Sequence, residues 1–457
     1  MIIIVTILGL IMRLILSTQS FWLDEGASLM AARISFTEFF EYLKADFHPP
    51  LYYLFLKLWH PLAGNTEWLI RLPDILIGTA SIYLVYLLGK SIFGKNSKIP
   101  LLMAIFLTLN PFHIYYTQEL RMYNLSTFFV LLSWLALLKN KYIFVGIANF
   151  LSIFTFYGAG FNFVSQGLYL LFSNRKFIWR YLASFLPTFL GFVFWWPVFS
   201  AQLAGGDFLQ NSLPSWSLLS GSATAKSLLL IPIKFIIGRV SLEPQSLYFA
   251  TGGFLLVIFS LLILLSLRDK KSKSLWFFFL TPVFLATLIS FKTPVLGYWR
   301  YLFILPAFTS LLAVGIWQLP HKLRNISIAF VCVVFISANL YFWLTPRFQR
   351  EDWRGFTQFI NGKNALVVLP FSGIFAPLTF YQTDAFYFPA QESLGTTGSG
   401  LGDILLPLAE KYQTIFVMEY LSDLSDPDRK ILNTVRELKQ KEKAVYNFNN
   451  LGQVYEF

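Results

Sequence analysis

Asp24 and Glu25 stand together after the first apolar run of the chain, next to Trp22. Adjacent residues in a helix point about 100° apart, and in a strand they oppose. Two neighbouring carboxylates therefore divide labour more readily than they share one atom. Carboxylates at this place can also simply cap the following helix, Ala27 to Ile34. A second set, Gln118-Glu119-Leu120-Arg121, follows Asn110-Pro111-Phe112-His113 and Tyr115-Tyr116. Glu119 and Arg121 can pair with each other, or Arg121 can meet a phosphate while Glu119 takes a metal or a sugar hydroxyl. A third set is Lys292, Tyr298, Trp299, Arg300 and Tyr301, where Arg300 is either a snorkelling anchor or a phosphate clamp. Glu67 and Arg71, four residues apart, read as a helix ion pair.

The elements that must hold these groups are membrane elements. Of 457 residues 56% are hydrophobic, 19% aromatic and only 13% charged, about half the charge of an ordinary soluble domain. Apolar runs near 2–18, 67–88, 98–113, 122–138, 142–157, 159–173, 178–199, 247–267, 275–291, 302–319 and 325–344 predict about eleven spans. The first run lacks a basic leader and a small-residue cleavage site, so it reads as an anchor. Lys90, Lys95 and Lys98, then Lys139 and Lys141, Arg175, Lys176 and Arg180, Arg268 with Lys270, Lys271 and Lys273, and Lys322 with Arg324 fill alternate short loops. The positive-inside rule puts these loops and the N-terminus in the cytoplasm and residues 345–457 outside. Much of the net charge of +12 thus sets orientation, and no nucleic-acid partner follows from it. The lone Cys332 excludes an intramolecular disulfide, and four scattered histidines argue against a histidine-rich metal site.

Between the runs lie three outer segments. In the first, 19–66, Ser35 and Glu38 form a capping box for a surface helix with Phe36, Phe39, Phe40 and Leu43 on one face. His48-Pro49-Pro50 ends it, and Leu51 to Trp59 starts another. The second, 200–246, reads as irregular around Gly205-Gly206-Asp207 and Ser212-Leu213-Pro214, either a lid or a plain connector. The third is the tail. Asp352 caps a helix to about Asn361, Ala365 to Leu369 and Thr414 to Leu421 read as buried strands, and Asp426-Pro427 opens a charged helix through about Lys443. Val445 to Phe448 and Val454 to Phe457 close as a hairpin. The expected whole is an α-helical polytopic membrane domain, 1–344, with a small extracytoplasmic α/β domain, 345–457. Gly395 to Gly402 matches no nucleotide loop.

Taken in order, Trp22-Leu23-Asp24-Glu25, Asp46-Phe47-His48-Pro49-Pro50-Leu51-Tyr52-Tyr53, Glu67 with Arg71-Leu72-Pro73, and Asn110-Pro111-Phe112-His113 with Gln118-Glu119-Leu120-Arg121-Met122-Tyr123 resemble the GT-C membrane glycosyltransferases. The likeness is to the protein O-mannosyltransferase and lipid A aminoarabinose transferase families, and it is strongest over residues 20–125. It implies an inner- or plasma-membrane enzyme that moves a sugar from a polyprenyl-phosphate donor to an outer acceptor with inversion. Asp24 would be the base, with Glu25 beside it. His48, Tyr52, Lys57, Glu119, Arg121, Tyr298 and Arg300 would bind substrate, the cations stabilising phosphate charge. Glu119 and His48 are the candidates for a divalent ion, which the family does not always require. Residues 158–162 lack the histidine many relatives carry there. A secondary transporter is the competing class, but it would show repeated halves and midplane charges, which this sequence does not. A surface-glycan polymerase or ligase shares the donor chemistry.

Overall fold

The computed structural model describes residues 1–212, 220–391, 400–439 and 441–457. Within them six helical segments are long and apolar enough to cross a membrane: Glu67–Phe93, Arg175–Phe208, Gln245–Arg268, Lys270–Ile289, Tyr298–Trp317 and His321–Leu344. This corrects the expected count of about eleven. The reason is length. The runs at 2–18, 98–113, 122–138, 142–157 and 159–173 fold into helices of 13, 11, 16, 14 and 14 residues. At 1.5 Å per residue these reach roughly 16 to 24 Å, short of a hydrocarbon core of about 30 Å.

The first outer segment carries three helices: α2, Leu23–Arg33, α3, Phe36–Ala45, and α4, Leu51–Ala63, between α1, Ile2–Leu14, and the long α5, Glu67–Phe93. The Ser35–Glu38 box forms as expected. Phe39 and Leu43 are buried while Phe36 and Phe40 stay exposed, so α3 is amphipathic. Gly205 to Asp207 are helical, inside Leu186–Ser212, because no breaker lies between Pro197 and this stretch. The irregular reading of 200–246 is corrected there and again at Ala225–Ile237, also a helix, while 213–219 lie outside the described residues.

Buried polar side chains link the short helices. Asn149 accepts from Ser133 and donates to Gln166, and Trp134 donates to Asn162. Such bonds contribute about 0.6 kcal/mol each between membrane helices. Arg13 fills a different need. The helix Ile99–Leu109 stops where Asn110-Pro111 starts a new one, leaving carbonyls without partners. The Arg13 guanidinium donates to Leu107 O and Thr108 O, and Asn339 donates to Leu109 O. That capped break directs the chain into the 117–122 turn.

The tail forms a five-stranded sheet from β1, Leu366–Leu369, β2, Phe386–Pro389, β3, Ile415–Met418, β4, Ala444–Phe448, and β5, Gly452–Glu456. The order is β2-β1-β3-β5-β4. Strands β1, β2 and β3 are parallel, and β5 runs antiparallel to β3 and β4. One core, around Trp353, Phe356, Val367 and Phe416, lies on one face, and a second, around Leu405, Ile431 and Val435, on the other. Strand β2 and the helices Phe375–Phe380 and Leu401–Lys411 add to the elements read from sequence. The charged helix is shorter than expected, Lys430–Lys439, since Asp426 caps it through the Lys430 and Ile431 amides. Residues 392–399, most of the glycine-rich stretch, lie outside the described residues.

Candidate active site

Asp24 and Glu25 occupy the first turn of α2 and point into different environments. Glu25 is fully buried. Its Oε1 accepts from Arg71 Nε at 2.9 Å and from the Leu120 amide at 3.0 Å; its Oε2 accepts from Arg71 at 2.6 Å and from the Trp22 amide at 3.3 Å. Arg350 stands 3.4 Å from the same oxygen. Burial alone would raise the Glu25 carboxyl, but Arg350 and Arg71 outweigh it and hold it below its ordinary value. Every lone pair that could meet a substrate faces a protein donor, so Glu25 is a structural anchor for α2, α5 and the 117–122 turn.

Asp24 is different. Its side chain is 42% exposed and lies 3.6 Å from Arg121. Arg121 also reaches the Asp24 carbonyl at 3.4 Å and His48 Nε2 at 3.4 Å. Because Nε2 accepts from Arg121, the His48 proton sits on Nδ1, where it donates to Asp46 at 3.2 Å. Tyr53 donates to Asp46 at 2.6 Å. Burial pushes the Asp46 carboxyl up, but its contacts with His48, Tyr53 and Arg121 outweigh this and bring it down to about 2. Asp24, Arg121, His48, Asp46 and Tyr53 thus form one continuous polar cluster, in which Asp24 is the most exposed carboxylate.

The sequence pairings differ from those observed. Arg71 meets Glu25, and Glu67 meets Arg354 at 3.0 Å, because α5 is flanked by partners on both sides of its first turn. Glu119 and Arg121 do not pair. A tight turn, with the Arg121 amide donating to Glu119 O at 2.7 Å, turns their side chains apart. Glu119 faces Arg350 at 3.7 Å, and burial pushes its carboxyl up to about 7.

Other candidates sit away from Asp24 or are already engaged. Lys57 donates to the carbonyls of Ala32 and Ile34 at the end of α2 and lies over the Phe36 ring. Tyr52 is buried and donates to Asp74 at 2.8 Å. Arg300 donates to Ser220 O at 2.7 Å and Pro294 O at 3.1 Å, and Tyr298 accepts from Arg239 at 2.6 Å. Arg239 is a cation that sequence reasoning missed. It is exposed, lies over the Tyr115 ring at 5.3 Å, and that ring also receives Arg350 at 4.9 Å. Its only sequence signal was Gly238-Arg239 after an apolar helix. Arg350 and Glu351 were missed too, hidden in the polar run that follows the last span. Of the two candidates for a divalent ion, Glu119 faces the Arg350 guanidinium at 3.7 Å and His48 the Arg121 guanidinium at 3.4 Å. Among the described residues no cluster of three His, Cys, Asp or Glu side chains could hold a metal.

ArnT from Cupriavidus metallidurans, in its apo state and bound to undecaprenyl phosphate, superposes over nearly the whole chain. In both states the TM-score is 0.58 at 13% identity, covering 99% of this chain and 97% of ArnT. The chain has the GT-C fold. The GT-C likeness extends to sequence over part of the chain, where the model of the dolichyl-phosphate-mannose-protein mannosyltransferase family matches residues 47–201. That interval holds His48, Glu119 and Arg121, and Asp24 lies before it. The archaeal oligosaccharyltransferase AglB from Archaeoglobus fulgidus superposes more loosely, with a TM-score of 0.47 at 11% identity over 92% of this chain and 70% of AglB. No curated protein matches the chain in sequence.

Proposed function

We propose that this GT-C chain transfers a sugar from a polyprenyl-phosphate donor to an acceptor at the outer membrane face, with Asp24 as the general base. The observation that carries this reading is the contrast within one helical turn: Glu25 is sealed among two arginines, while Asp24 is open and held by Arg121. An open carboxylate can take the acceptor proton as the acceptor oxygen attacks the anomeric carbon from the face opposite the phosphate. The sugar–phosphate bond breaks with inversion and the phosphate leaves as an anion, so no second carboxyl is required to protonate it, unlike hydrolysis by a glycosidase pair.

Arg121 and Arg239 are the cations proposed to meet the donor phosphate, since neither is closed off by a full carboxylate partner and guanidinium forks suit phosphate oxygens. Arg300, fixed to two carbonyls, would shape that wall together with Tyr298. His48 and Asp46 would orient Arg121. Glu25 anchors the base-bearing helix. The basic loops are proposed to face the cytoplasm, and the first segment and the tail the opposite side, with the division near residue 345. The membrane we propose for it is an inner or plasma membrane.

The test is Asp24→Asn in membranes given radiolabelled polyprenyl-phosphate sugars and total cell envelope. Transfer falls by at least a hundredfold while the protein still inserts and is recovered intact. Wild-type transfer in that variant sinks the assignment of the base.

A further inference from the structure

Glu351 takes no part in the chemistry above, yet it touches the helix that carries the proposed base. It follows the last membrane helix. Its Oε2 accepts from the Leu23 amide at 2.9 Å and from Trp353 Nε1 at 2.7 Å, and its Oε1 accepts from the Tyr420 hydroxyl at 2.7 Å. Leu23 is the first residue of α2, so its N–H is one of the donors that a helix leaves unsatisfied. Glu351 caps that turn from outside the helix, and Asp24 is the next residue.

Other contacts make this turn belong to the tail. The Leu23 side chain packs into the tail core with Trp353, Phe371 and Tyr420. The Phe21 amide donates to the Tyr381 hydroxyl at 2.9 Å, and the Phe21 ring meets Phe380 edge-on at 4.8 Å. Gly26 lies so close to the helix Phe375–Phe380 that a Cβ there would stand 2.5 Å from the Pro377 nitrogen. The base-bearing turn therefore sits between the buried arginines on one side and the tail on the other.

We propose that Glu351 is a positioning residue through which the C-terminal sheet domain aims Asp24. The inference rests on Asp24 being the base. Reacting groups misplaced by about 1 Å lose about a hundredfold in rate, so a loosened first turn shows chiefly in kcat, while donor binding keeps Arg239, whose partners Tyr298 and Tyr115 lie outside α2. Length matters here and charge does not. Gln reaches Leu23 and offers an oxygen to its amide, whereas Asp keeps the charge and falls short by one methylene.

The experiment uses the full chain, purified in detergent, with the polyprenyl-phosphate sugar that the wild type transfers. Glu351→Ala and Glu351→Asp are expected to lower kcat at least tenfold with donor KM within twofold, while Glu351→Gln stays within threefold of wild type. Amide exchange at Leu23 and Asp24 is expected to quicken in Glu351→Asp and not in Glu351→Gln. Three results overturn the proposal: kcat of Glu351→Asp within twofold of wild type, equal losses in the Asp and Gln variants, or a loss confined to KM. Asp24→Asn, assayed alongside, reads the base assignment separately. Full activity there removes the base, whatever the Glu351 series gives.

Discussion

Replacing Glu25 by alanine removes the one carboxylate shared by Arg71 and Arg350. Both guanidiniums stay buried, Arg71 fully and Arg350 with 4% of its side chain exposed. Arg71 keeps the carbonyls of Ser17, Gln19 and Ser20, and Arg350 keeps Gln118 O at 3.0 Å and a more distant Glu119 at 3.7 Å. The Leu120 and Trp22 amides lose their acceptor outright. Breaking a buried ion pair costs about 3–5 kcal/mol, because a charge is left desolvated without its counterion. The expected loss is therefore about 4 kcal/mol. Removing Arg71 as well, in a Glu25→Ala/Arg71→Ala protein, takes the unpaired cation away and costs less than the two single changes summed. The assay is chemical unfolding from mixed micelles with the four proteins of the double-mutant cycle. A Glu25→Ala cost below about 1 kcal/mol, or strict additivity in the cycle, refutes the reasoning that a buried anion ties these elements together.

Three further outcomes follow from particular groups. Glu351 has a folded pKa of about 7 against an ordinary 4.5, so its share of stability is fully present below pH 4.5 and is lost as pH rises to 7. That loss is worth up to about 3 kcal/mol, and a Glu351→Gln protein shows a correspondingly flatter melting profile between pH 5 and pH 8; an unchanged slope contradicts it. Ser35→Ala removes the hydroxyl that accepts from the Glu38 amide and is expected to cost about 1 kcal/mol, measurable as thermal stability. Arg239→Gln is expected to raise the donor KM at least tenfold with little change in melting temperature, since among the described residues no carboxylate pairs with its guanidinium, which meets Tyr298 and Tyr115; an unchanged KM removes it from the phosphate site.

The sequence by itself determined the class of protein and several local structures. Sparse charge and long apolar runs require a membrane, whatever the tertiary arrangement. The Ser35–Glu38 box, the Asp352 cap and the strands at 366–369 and 415–418 follow from signals within a few residues. Asp24 stood out because a carboxylate beside an apolar run is costly and therefore conspicuous. Span lengths were not legible, since periodicity registers apolar residues and is blind to a helix break satisfied by Arg13 from another helix. Pairing was not legible either. Glu67 and Arg71 look like natural partners four residues apart, yet Arg71 meets Glu25, 46 residues earlier, and Glu67 meets Arg354. A charge adopts the partner that burial offers, and burial is decided by the packing of distant elements. For the same reason only the tertiary structure separated two adjacent carboxylates, sealing Glu25 between arginines and leaving Asp24 open.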